Sequence, residues 1–347
     1  MPSPRIRVEF AFHGSFDAKP AGVTFAPGRL NLLGEHVDHQ GASVLPIALR
    51  EGVACAWGPR PDRTVRVLAL DAKETDRFPL GAYDRSGRRW ADMVRGACAA
   101  LEARGVRLPG VQLSIAGDLP ARRGLGSSAA LLVAVLRALV AATGRPPPSP
   151  ADLARVVPEI EATWAGVRCG AMDPYVAAVG KPGVPLLLDC RALAHEELPW
   201  PEGVEAVPVD SGVERELSKT PYNERRAELE EGLRRLAHAR EAAAIAGTPA
   251  DDARLLDRLP EPFGRRARHV VGEVRRVTEG AAALRRVDAE ALGRLLDEGH
   301  RSLSRDFEST TPALDATAAS LRAQDGVLGV RLQGAGWGGC FVVLRRR

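Results

Sequence analysis

The sequence predicts an α+β protein in two lobes, and three features of the chain point that way. Short β-branched or alternating apolar runs are interleaved with amphipathic helical stretches up to about Leu193. Beyond that point the chain turns to long, charged helical patterns rich in Ala and Leu. It ends on two strand-like runs, Val327–Leu332 and Phe341–Leu344, which bracket the glycine-rich stretch Gly334–Gly339. A length of 347 residues suits two domains of ~150 residues each, and the expected lobes are 1–195 and 196–347.

In chain order, Val23–Phe25, Val44–Ala48 and Val65–Leu70 read as strands. Trp90–Arg104 has helical spacing and stops at Gly105, and Val111–Ile115 alternates as a strand. Gly124–Ala130 then opens an apolar helix, which ends near Thr143–Gly144, where a glycine and three prolines at 146–148 block continuation. Ala151–Ala165 reads as a second helix and Val184–Asp189 as a strand. Helical patterns over Tyr222–Ala246, Ala267–Arg285 and Ala289–Leu303 are interrupted by proline-rich stretches at 199–208 and 259–262.

Composition excludes several classes of function. The formal net charge is only +4, and the many arginines alternate with acids, as in Glu224–Arg240, which is the pattern of solvated helix faces. No nucleic-acid partner is expected. The five cysteines form no C-x-x-C pair, so neither a metal cluster nor a disulfide framework is expected. With no apolar leader core and no long apolar run, the expected location is cytoplasmic, without a membrane partner.

Two segments carry chemistry. In Gly124, Leu125, Gly126, Ser127, Ser128 and Ala129, small residues open a helix whose first N–H groups lack intrahelical partners and stand at the positive end of its dipole. Such a junction suits a phosphate, with Ser127 or Ser128 as the helix cap. No G-x-x-x-x-G-K-[ST] is present, so no adjacent lysine serves that phosphate, and no dinucleotide G-x-G-x-x-G follows a plausible first strand. A magnesium ion would then need hard oxygen ligands, one from Ser128 and another from a nearby acid. The second segment, Ala26–Gly41, crowds Glu35, His36, Asp38 and His39 close to Arg29 in a run that is neither cleanly helix nor cleanly strand. Such a cluster is costly to bury without partners, and it is well suited to reading sugar hydroxyls.

Three segments in order, 26–48, 120–130 and 334–340, resemble the motifs of the GHMP kinases. The first, APGRLNLLGEHVDHQGASVLPIA, resembles the galactokinase family specifically. CGAMDPYVAAVGKPGVPLLLDCRAL (169–193), YNERR (222–226), HRSLSRDFESTTPALD (300–315) and LQGAGWGGC (332–340) extend the likeness over nearly the whole chain.

The resemblance implies a GHMP kinase fold, with an N-terminal lobe like ribosomal S5 domain 2 and a C-terminal ferredoxin-like α/β sandwich. It implies transfer of the γ-phosphoryl of ATP, with Mg2+, to the anomeric hydroxyl of galactose. Asp173 matches the catalytic aspartate, and Arg29 its partner. Glu161 and Ser128 match the magnesium ligands. Glu35, His36, Asp38, Gly170 and Tyr222 match sugar contacts, with Glu35 toward the C6 end, and Gly124–Ala129 matches the nucleotide phosphate loop. His39 stands where most galactokinases have tyrosine, Asp38–Gly41 is closer to galacturonokinases, and Pro174 replaces the usual glutamine. Galactokinase, a kinase for galacturonate or another sugar, and a kinase-like sugar sensor therefore stand as readings. Opposite a C6 carboxylate Glu35 would be repelled by ~1–4 kcal/mol, which favours a neutral hexose.

Overall fold

The computed structural model describes residues 2–120, 123–213, 220–245 and 252–347. Positions 121–122 of the glycine-rich segment and the last residue of the predicted helix 222–246 lie outside them. The chain forms two compact units. The first holds Met1–Arg29, Ile47–Ala121 and Leu125–Val184; the second holds Leu30–Pro46, Arg122–Gly124 and Pro185–Arg347. The last change of unit thus falls at 184/185, and residues 30–46 group with the C-terminal part of the chain.

The elements are α1 (Pro4–Phe16), β1 (Gly22–Leu33), β2 (Ser43–Arg60), β3 (Thr64–Ala69), β4 (Glu74–Pro79), α2 (Arg89–Ala103), β5 (Gly110–Gly117), α3 (Ser127–Ala142), α4 (Pro150–Ile160), α5 (Met172–Val179), β6 (Leu186–Asp189), β7 (Ala194–Glu197), β8 (Val204–Asp210), α6 (Tyr222–Ile245), α7 (Asp252–Asp257), α8 (Phe263–Arg285), α9 (Ala289–Ser302), α10 (Pro312–Arg322), β9 (Val327–Leu332) and β10 (Cys340–Arg346). No helix among the described residues is long and apolar enough to cross a membrane.

In the first unit β4 and β3 form a hairpin, β3 runs parallel to β5, and β5 is antiparallel to β2. The period-2 alternation of β2 divides its side chains between two cores. Val53 and Cys55 pack with residues of α2, α3 and α4, whereas Ala54 and Ala56 pack with Val8 and Phe12 of α1. Helix α1 eluded the sequence reading because it buries little beyond Val8 and Phe12, one turn apart among charged neighbours. The segment from Ala26, read as neither helix nor strand, is strand as far as Leu33. Its residues from Ala26 to Leu33 are all buried, so no alternation marks it.

The expected serine cap of α3 is corrected. Gly126, with φ of 74°, is the N-cap, and no side chain caps the helix. The left-handed backbone that glycine permits at this position places both serines inside the first turn.

In the second unit β10 lies antiparallel between β8 and β9, so that Phe341 stands opposite both Val209 and Leu332. Helices α9 and α10 pack on β9, α8 packs on α9, and α6 packs on α8. Side chains cap α9 and α10: Asp288 accepts from Ala291 N at 2.9 Å, and Thr311 from Leu314 N at 3.3 Å. Ser43 and Val44, at the start of β2, pair with β6, which continues into the hairpin with β7. Helix α8 buries Arg266, His269, Glu273 and Arg276 along one stripe, three to four residues apart. The helix is where the sequence predicts it, but this charged face points inward.

Candidate active site

In the first unit β1 delivers Arg29, and the first turn of α5 delivers Asp173. Arg29 Nε donates to Asp173 Oδ1 at 2.8 Å, and Nη2 donates to Oδ2 at 2.9 Å. The arginine side chain is nearly enclosed, while the aspartate keeps about a quarter of its exposure (24%). A two-bond guanidinium–carboxylate pair is among the stronger charged contacts, and the N-terminal turn of α5 adds a favourable dipole for the carboxylate.

The glycine-rich loop lies against this pair. Arg29 N donates to Leu125 O at 3.0 Å. A Cβ on Gly28 would stand 2.8 Å from that same carbonyl oxygen, so only glycine lets β1 approach the loop. A Cβ built on Gly126 would lie 3.5 Å from Asp173 Oδ2 and 3.6 Å from Arg29 Cγ. Leu125 and Ala129 are buried, so at the surface of the loop they have only backbone to offer; Ser127 and Ser128 are partly exposed. Gly124, also left-handed with φ of 74°, groups with the second unit. There the neighbouring Arg123 pairs with Asp210 at 2.8 Å, and its carbonyl accepts from Cys340 N at 3.0 Å.

Glu161 is buried at the head of a π-helical turn, Glu161–Ala165, which continues α4. Burial, and then the charge of Asp173, push its carboxyl up to about 7. The Cys169 thiol, Arg89 and Arg29 act the other way. The solvated helix carboxylate that its surroundings in sequence suggest is therefore not what the fold makes of it. Gly170 also lies in this unit, just ahead of α5. Trp57 and the apolar residues of 65–101, equally readable as adenine contacts or as core, supply packing for the main core cluster. Among the described residues no group of three or more His, Cys, Asp or Glu is placed to hold a metal unaided.

In the second unit the chain turns sharply after β1, with positive φ at Gly34 (102°) and at His36 (62°). Glu35 and His36 are both buried. The His36 ring stacks on Phe307 with centroids 4.0 Å apart, and Tyr222 lies 6.0 Å from it. Tyr222, only 8% exposed, is thus gathered with this corner rather than left on the surface. Asp38 and His39 are partly exposed and 3.3 Å apart. The Gly334–Gly339 stretch is a tight turn tied down by Trp337 N to Ser309 O at 2.6 Å and Gly339 N to Val213 O at 2.9 Å.

Four residues around Glu35 escaped the sequence reading. Arg331 Nη2 donates to Glu35 Oε2 at 2.7 Å, and Nη1 donates to Glu273 Oε1 at 3.0 Å. Glu273 also accepts from Gly34 N at 2.7 Å, Glu35 N at 3.2 Å and Arg276 Nε at 2.7 Å. His269 Nε2 donates to the Glu35 carbonyl at 3.1 Å. The signal that could have found three of them is their helical spacing on α8, had charge not argued for a solvated face.

Three family models match the chain. GHMP kinases N terminal domain matches residues 92–181, the galactokinase galactose-binding signature matches 11–59, and GHMP kinases C terminal matches 281–345. A galactokinase of Roseiflexus sp. (strain RS-1) is 38% identical over 338 residues, which cover 97% of this chain and 86% of the relative. A galactokinase of Homo sapiens is 38% identical over 346 residues, covering 96% and 86%. Among solved structures, Lactococcus lactis galactokinase complexed with galactose superposes with a TM-score of 0.86 at 29% identity, covering 98% of this chain and 90% of that one. Methanococcus jannaschii mevalonate kinase, at 16% identity and a TM-score of 0.67, shares the fold. With a charge-paired aspartate beside a glycine-rich helix start and relatives this similar over nearly its full length, the chain belongs to the galactokinase family of the GHMP kinases.

Proposed function

We propose that the protein transfers the γ-phosphoryl of ATP to the anomeric hydroxyl of galactose, with Asp173 and Arg29 at the reacting atoms. The observation that carries this reading is the two-bond Arg29–Asp173 pair with Gly126 held against it. Asp173 accepts the proton of the sugar hydroxyl, or orients that hydroxyl, as the oxygen attacks phosphorus. Arg29 keeps the carboxylate ionised and offsets negative charge developing on the transferred group. Backbone amides of 124–129 cradle the phosphates at the start of α3.

A magnesium ion fits the residues present. Glu161 is a buried carboxyl whose pKa is raised partly by a second carboxylate, Asp173, a local excess of negative charge that a divalent cation relieves. Glu161 and the Ser128 hydroxyl would hold it, with phosphate and water completing a hard-oxygen set. Bound there, it supplies charge neutralisation on the phosphate oxygens.

Glu35, His36, Asp38, Tyr222 and Gly170 read the sugar. The buried charges around Glu35 favour a neutral hexose over a hexuronate. Arg331 and Arg276 are already engaged with Glu35 and Glu273, so a C6 carboxylate would add a third negative charge to a balanced set. Action in the cytoplasm accords with five free cysteines. A coupled assay across a panel of monosaccharides tests the reading. The expected outcome is the highest kcat/KM with galactose; a higher value with galacturonate overturns the sugar assignment, and binding without turnover on any sugar revives the sensor.

A further inference from the structure

Resting on the reading that Glu35 accepts a sugar hydroxyl, we propose that Glu273 and Arg331 are positioning residues that fix the Glu35 corner and so set affinity and selectivity for the sugar. Nothing in the phosphoryl-transfer chemistry above uses the charged stripe of α8, and buried charge is costly unless it is fully paired. The pairing here converges on one short piece of chain.

Glu273 Oε1 takes both the Gly34 and the Glu35 amide hydrogens as well as Arg331 Nη1. Its other oxygen takes Arg276. Arg331 then spans the two carboxylates, with Nη2 on Glu35 Oε2 and on the Asn31 carbonyl. Asn31 Nδ2 donates to the same Glu35 oxygen at 3.1 Å. One oxygen of the Glu35 carboxylate is therefore held from β9 and from the end of β1.

The backbone on which that carboxylate is mounted needs holding. His36 has a φ that non-glycine residues seldom adopt, and such geometry persists only where the surroundings impose it. Three contacts impose it: Glu273 on the amides before the corner, His269 on the Glu35 carbonyl, and Phe307 flat against the His36 ring. A network serving stability alone would have no reason to end on both the amide and the carbonyl of the residue whose side chain it also clamps.

The test is steady-state kinetics with galactose, 6-deoxygalactose and ATP varied in turn, on wild type, Glu35→Gln, Glu273→Gln, Arg331→Lys and the Glu35→Gln/Glu273→Gln double variant. Expected for Glu273→Gln and Arg331→Lys is a galactose KM raised at least about tenfold, the scale of one lost charged hydrogen bond, with the ATP KM within about twofold. Their preference for galactose over 6-deoxygalactose falls toward that of Glu35→Gln, and the double variant shows no further fall. Unchanged preference in both single variants while Glu35→Gln loses it overturns the proposal, as does a parallel rise of both KM values. An unaffected Glu35→Gln overturns instead the reading of Glu35 on which the proposal rests. If Glu273→Gln yields no folded protein, Arg331→Lys and His269→Gln carry the same readout, and wild-type preference in both defeats the positioning role.

Discussion

Arg29 and Asp173 stand 144 positions apart in sequence and meet through two hydrogen bonds, which makes Asp173 the residue whose chemistry is easiest to isolate. Asp173→Asn keeps the shape but leaves only one of the two oxygens that accept from Arg29, and it cannot take a proton. Its kcat is expected to fall ~10²–10⁴-fold, with ATP affinity by calorimetry little changed; near-normal kcat removes Asp173 from its assigned role. Gly28 tests the geometry of the loop rather than its chemistry. In Gly28→Ala the new methyl would press on the Leu125 carbonyl and on Leu119 Cδ2, at 2.8 and 2.5 Å. The loop must give way at a cost of ~1–3 kcal/mol, read as a lower unfolding midpoint together with a raised KM for ATP. An unchanged midpoint and KM would show that β1 and the loop are less tightly docked than these distances require.

Helix α8 shows at the scale of one element why legibility in the sequence was uneven. Its span and periodicity were readable, because helical spacing is a local property. Its orientation was not, because Arg266, His269, Glu273 and Arg276 look like a solvated face until their partners arrive from Glu35, Glu308 and Arg331. That buried stripe has a pH signature. Burial, with Arg276 acting the same way, holds His269 down to about 4 from 6.5, although Glu273, the Glu35 carbonyl and Asp306 pull it up. The unfolded chain takes that proton below about pH 6.5 and the folded chain only near pH 4, so acidification through this window favours unfolding. Glu273 adds to the loss lower down. Burial raises its carboxyl, but Arg276 and then Arg331 bring it net to about 2 from 4.5, so its stabilisation is present above pH 4.5 and fades below it. The expected result is a melting temperature that falls from pH 7 to pH 5 in wild type and falls less in His269→Gln. An equal fall in both would show that His269 is not a source of the acid sensitivity.

Over the whole molecule, what the sequence revealed were short motifs whose residues act near one another in the chain, as at 26–41, 124–130 and 334–340. What it hid were the partners supplied from far away, such as Arg331 for Glu35, 296 positions on, and the burial of Glu161, which depends on how the π-helical turn packs. The cysteines follow the same rule: spacing argued against clusters, and only the fold says which thiol is reachable. Cys55, Cys98, Cys190 and Cys340 are buried, and burial pushes the thiols of Cys55 and Cys98 well above their ordinary range. Cys169 is partly exposed and hydrogen-bonded to Glu161. A thiol-specific chromogenic reagent is therefore expected to label one residue rapidly in the folded protein, identified as Cys169 by peptide mapping, and all five in denaturant. Because Cys169 touches the carboxyl assigned to the magnesium, adding ATP with magnesium is expected to slow that single fast phase while leaving the slow ones alone. Fast labelling at any of the other four would contradict the packing of the cores around them. A fast phase at Cys169 that saturating nucleotide leaves untouched would detach Glu161 from the phosphate site.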